Sequence, residues 1–123
     1  MRQIFAGILV LMFVIMLGAV SVAENQLGIA DTYRVSFSEK VRVADTLLPK
    51  GDYEIRHVMQ GSDHIMVFRQ QGTKKPVEVR AKCTLVSLGA RADKDEKIYI
   101  LNAANERVLQ ELVFKGDSAK HVF

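Results

Sequence analysis

From residue 33 onward, apolar positions recur mostly with a period of two. Tyr33, Val35 and Phe37 alternate with Arg34 and Ser36, which sends three large apolar side chains to one face of a strand. Val41 and Val43 repeat the pattern around Arg42, and residues 53–59 and 64–68 read as two further strands. The longest clean alternation is residues 77–85, with Val77, Val79, Ala81, Cys83 and Leu85 on one face and Glu78, Arg80, Lys82 and Thr84 on the other. That is a strand dry on one side and wet on the other. Residues 98–101, 108–114 and 119–123 complete the set. Residues 106–114 would also fit two turns of helix, but β-branched Val108 and Val113 favour the strand.

Turn signals separate these runs. In Leu48-Pro49-Lys50-Gly51-Asp52 the expectation is a type II turn, with Pro fixing φ and Gly supplying a positive φ. Residues 60–63, 70–75, 91–97, 102–106 and 115–118 are polar or glycine-bearing connections. Pro76 can begin a strand but not sit in its middle. The spacing predicts an all-β domain of about seven or eight short strands, a small antiparallel β-sandwich or partly open barrel. No internal repeat or low-complexity run interrupts it.

Phe37 with Val41 and Val43, followed by Leu48-Pro49-x-Gly51-x-Tyr53-x-Ile55, resembles the opening of small exported β-rich proteins of soil bacteria. In these a signal peptide precedes an F…V.V…LPxGxYxI segment, and the chain often closes near Val-Phe, as Val122-Phe123 does here. The resemblance spans about half of the domain. It implies an exported compartment and a β fold, and it brings no catalytic residue.

The start of the chain has a different texture. Arg2 precedes an uncharged apolar run over residues 4–20, and Ser21-Val22-Ala23 stands before Glu24. Small residues at −3 and −1 fit signal-peptidase cleavage. The expectation is a bacterial-type signal peptide over 1–23, helical in its apolar part, then a flexible segment over 24–32 and a single β domain over 33–123. The rival reading is an uncleaved anchor, since a spanning helix needs about 20 apolar residues. No Lys or Arg cluster follows to stop transfer, and no Cys stands near residue 24 to accept a lipid. The implied location is periplasmic or extracellular, with a membrane tether only if the segment is retained.

Composition narrows the partners. Seventeen basic residues less Arg2 leave sixteen against fourteen acidic ones, too weak an excess to argue for nucleic acid. A single Cys, Cys83, cannot form an internal disulfide even in an oxidising compartment. It lies on the apolar face of its strand, where a thiol behaves as a small inert hydrophobe. An outer-membrane barrel fits poorly, because membrane strands run about 9–11 residues and most runs here are shorter, with Lys and Arg on their wet faces.

Candidate chemistry is sparse. Ser62-Asp63-His64 are neighbours in a turn and point apart, whereas a triad must converge. Asp93, Asp95 and Glu96 are interleaved with Arg91, Lys94 and Lys97, a solvated charged loop rather than a calcium loop. No nucleophile-elbow, zinc-protease or C-x-x-C motif occurs, so the expectation is a protein that is not an enzyme. One denser group stands out. If residues 60–63 connect a hairpin, Met59 opposes His64 and His57 opposes Met66, which gathers two thioethers and two imidazoles on one strand face. That donor set suits monovalent copper. Ile55 and Phe68 continue the same face, as core packing also requires. The leading reading is an exported, non-catalytic structural or interaction module without a cofactor, acting on a protein partner or on itself through sheet edges or loops. The alternative is a small periplasmic copper-binding protein using His57, Met59, His64 and Met66.

Overall fold

The computed structural model describes residues 28–123. The expected signal peptide and residues 24–27 lie outside the described residues. Nine strands form: β1 (Thr32–Phe37), β2 (Val41–Val43), β3 (Thr46–Leu48), β4 (Gly51–Gln60), β5 (Asp63–Gln70), β6 (Glu78–Ser87), β7 (Glu96–Leu101), β8 (Arg107–Val113) and β9 (Ala119–Val122). No helix occurs among the described residues, and residues 107–113 are strand.

The strands make one sheet in the order β1-β4-β5-β6-β9-β8-β2-β3, with β7 on the other edge of β8. The sheet is mixed and not closed into a barrel. One pair departs from the antiparallel expectation: β2 runs parallel to β8, pairing Val41 with Arg107 and Arg42 with Val108. β8 has room for this because β9 meets it only at Glu111 and Leu112. Arg42 locks the junction with a two-pronged bond to Glu106, at 3.0 and 2.9 Å.

β6 divides the sheet. Its first half pairs with β5, from Glu78 opposite Arg69 to Cys83 opposite His64. Its second half pairs with β9, from Thr84 opposite Val122 to Ser87 opposite Ala119. The two parts of the sheet therefore turn their apolar faces toward each other. Tyr33 stacks on Phe114 with ring centroids 3.8 Å apart, Phe68 meets Phe123 at 5.9 Å, and Phe37 approaches Tyr99 at 6.5 Å. One continuous core results, running from Tyr33, Val35 and Phe37 through Tyr53, Ile55, Met66 and Phe68 to Leu109 and Leu112. β5 is buried on both faces, since Ile65 and Val67 on its outer side are covered as well. Arg56 and Arg80 flank Val67 in register, and long basic side chains can lay their aliphatic stems over such a residue while the charged ends stay wet.

The LPxGxYxI segment acquires a physical account here. Leu48, Tyr53 and Ile55 are fully buried. The Tyr53 hydroxyl donates to the Pro49 carbonyl at 2.6 Å and ties the turn to the strand that follows. Gly51 has φ of 140°, a conformation L side chains rarely adopt. The expected type II turn is not formed. Gly51 lies two residues beyond Pro49 and opens β4, and Lys50 keeps a negative φ.

β3 is the strand the sequence pattern did not reveal. Its hairpin with β2 turns through Ala44 and Asp45, with Val43 opposite Thr46. Ala44 takes a positive φ of 53°, a position usually marked by Gly or Asn, so the turn carries no compositional signal. Residues 28–31 are fastened to the domain. The Gly28 carbonyl accepts from Ser118 N–H, the Asp31 carbonyl from His57 N–H, and Ile29 is buried.

Leu48 anchors the β2–β3 hairpin in the core. Leu48→Ala is expected to cost about 2–5 kcal/mol, the range for emptying a packed leucine site. Urea denaturation measures this, and a loss below about 1 kcal/mol would show that the hairpin is not seated as described.

Candidate functional site

The hairpin of β4 and β5 has the register anticipated for it: His57 opposes Met66 and Met59 opposes His64. The four residues fare differently. His57 Nε2 and His64 Nδ1 stand 3.0 Å apart. Met66 is fully buried in the core, and Met59 is half exposed at the strand end.

The fold adds two donors from distant sequence. Cys83 lies opposite His64 across β5 and β6. His121, on β9 opposite Leu85, packs over the same face. Its Nδ1 is 3.8 Å from Cys83 Sγ, and its ring centroid is 5.9 Å from that of His57. All three histidines of the chain and its one cysteine thus lie together, from four strands. No feature of local sequence marked His121, because only the fold of the sheet across β6 brings it to His57.

His121 is fully buried, and its Nε2 has no hydrogen-bond partner. That atom faces the Asp117 carboxylate at 3.8 Å, beyond hydrogen-bond reach. Asp117 is itself buried and accepts from the Tyr33 hydroxyl at 2.5 Å. The Tyr33 hydroxyl in turn accepts from Ala30 N–H. An unsatisfied buried polar atom costs about 1–3 kcal/mol, so His121 is a destabilising choice where leucine would fill the space.

Burial favours the neutral forms of His57, Cys83 and His121. Burial, with smaller contributions from His57 and His64, holds His121 down at about 4. Burial and the adjacent His64 lower His57 below the usual imidazole value. Burial pushes the Cys83 thiol up to about 11 and also raises Asp117. Near neutral pH the site therefore offers a thiol and the uncharged imidazoles of His57 and His121. Among the described residues, no three His, Cys, Asp or Glu side chains converge as a finished metal cage. A surface cleft of about 270 Å³ leads to the group, with Asp63, His64, Lys82 and Cys83 in its wall.

The other sequence candidates resolve simply. Asp63 pairs with Lys82 at 3.3 Å while His64 turns to His57, so Ser62, Asp63 and His64 form no relay. In the charged loop, Asp95 accepts from Lys115 N–H and Glu96 pairs with Lys94.

A second feature lies at the far side of the sheet. β7 pairs with β8 alone among the described residues. Ile98, Ile100 and Leu101 are exposed there, three of the six large apolar side chains exposed in the described chain. Ile98 also borders a shallow cleft of about 350 Å³ shared with Leu88 and Val113.

No family model matches the chain, and no curated protein or solved structure matches it.

The buried imidazole makes stability depend on pH. Its pKa is depressed on folding, so the unfolded chain takes up a proton that the folded chain refuses. The stabilisation is complete above about pH 6.5 and is lost as pH falls toward about 4. The loss is on the order of 3 kcal/mol; His57 acts in the same sense and Asp117 opposes it at the acid end. His121→Leu should flatten this dependence. Denaturation at pH 7 and pH 4.5 makes the comparison, and equal losses in both proteins would remove His121 as the cause.

Proposed function

We propose that this chain is an exported, non-catalytic interaction module that accepts an extended strand from another polypeptide along β7. The observation that carries the reading is the exposure of Ile98, Ile100 and Leu101 on a strand whose second edge is unpaired among the described residues. An edge strand offers a row of N–H and C=O groups to an incoming chain, and proteins usually guard such edges with Lys, Pro or a bulge. The charges of β7 are confined to its start, Glu96 and Lys97, where Lys97 donates to the Ser36 carbonyl at 2.7 Å, and residues 98–101 carry no charge and no proline. The bulge at Ile98 and Tyr99 places its extra residue on β8, so it leaves β7 intact.

The incoming strand would be one with aliphatic residues at alternate positions, which is how strand addition obtains specificity beyond backbone bonding. β7 itself has that pattern. In an antiparallel second copy with Tyr99 on the two-fold axis, Ile98 meets the partner's Ile100 and no like charges oppose, so self-pairing is the nearest instance. The apolar N-terminal run and the small-residue triplet at Ser21 and Ala23 support export. The facing of the two sheet halves supports a sandwich-like, partly open arrangement, and the resemblance to exported β-proteins agrees with both.

The test is the solution mass of the chain purified after export, from micromolar to millimolar concentration, with hydrogen exchange at the β7 amides. Expected is a concentration-dependent dimer in which β7 amides gain protection. Ile100→Lys and Leu101→Lys should weaken it by about tenfold or more each. A mass that does not change with concentration, or β7 amides already protected in the monomer, would sink the reading.

A further inference from the structure

The histidine–cysteine face has a chemistry that strand addition does not use. We propose that it binds one monovalent copper ion, held by the Cys83 thiolate and the imidazoles of His64 and His121, with His57 as an additional donor. The inference stands on geometry independent of β7.

Four observations converge on it. The donors come from four strands that the fold places together, and thiolate with imidazole is a donor set for soft and borderline metals. Cys83 and His64 are register partners, so their Cβ atoms lie about 5 Å apart. No three of these donors converge as the site stands among the described residues, so binding requires the His57–His64 contact to open and the His64 ring to turn toward Cys83. His121 presents Nδ1 to Cys83, while its unpartnered Nε2 faces Asp117, which the Tyr33 hydroxyl holds. Metal-ligating histidines characteristically direct their second nitrogen at such a carboxylate. The cleft beside Asp63 and Lys82 gives an ion a route to His64 and Cys83.

The softness of the donor set selects the ion, since thiolate with imidazole suits monovalent copper. Binding forms a sulfur–copper bond and releases the Cys83 proton to solvent; no electron moves. Met59 plays no part, since it opposes His64 from an exposed strand end.

The experiment titrates the reduced chain, purified after export, with copper(I) under anaerobic conditions against a chromophoric copper(I) chelator. The expected result is one ion per chain, one proton released per ion, and a thiolate-to-copper absorption in the near ultraviolet. Cys83→Ala should lose that absorption and about 100-fold or more in affinity, and His64→Gln about tenfold or more. Met59→Leu should bind as the parent does. Cys83→Ala keeps a small apolar side chain in the core, and His64 is only partly buried, so circular dichroism and melting can establish that both variants fold. No stoichiometric uptake, uptake unchanged in folded Cys83→Ala, or zinc(II) displacing copper(I) in direct competition would each overturn the assignment.

Discussion

The first six residues of β6 pair with β5 and the last four with β9, and the rest of the molecule depends on that division. A ten-residue strand is long enough to serve two neighbours in succession, and the sheet turns where the partner changes. The turn sets the apolar face of β1, β4 and β5 against that of β8 and β9. Without it, Tyr33 would have no Phe114 to stack on and Phe68 no Phe123. A single domain of this size supports one modest core, and with Cys83 as its one cysteine the chain has no internal disulfide to supplement it. The apolar contact across the fold is therefore the principal stabilising term.

The same turn explains why polar groups occur within that core. His121 is carried on β9 into a position over His57, His64 and Cys83. There it has one nitrogen near a thiol and the other just short of a carboxylate. A buried group in that state weakens the fold unless something compensates, and its neutrality above acid pH is what allows the core to close around it. The apolar and the polar parts of the interior are thus one construction, with the histidines at the end of the core nearest the β4–β5 turn and the aromatics filling the remainder.

Much of this was legible along the chain. Strands β1, β4 and β6 alternate because one face of each meets the core, whereas β5 reads as a short apolar run because both its faces are covered. The β4–β5 register was legible too, since a connection read over residues 60–63 gives the same facing pairs as the tighter turn at Gly61 and Ser62 that forms. β3 was not, because Ala44 turns the chain without a turn residue's signature. The parallel pairing of β2 with β8 was not either, because it joins segments more than sixty residues apart and leaves no local trace.

The candidate site divides along the same line. Sequence by itself put His57, Met59, His64 and Met66 on one strand face, provided that residues 60–63 connect a hairpin, since opposed residues and residues two apart point the same way. It also placed Cys83 on the apolar side of β6. Only the tertiary structure decided that Cys83 stands opposite His64, that His121 closes over both, and that Asp117 and Tyr33 stand behind it. Cys83 and His121 are 38 positions apart and Tyr33 and Asp117 are 84 apart, and alternation along one strand says which way a side chain points without saying which other strand it will meet.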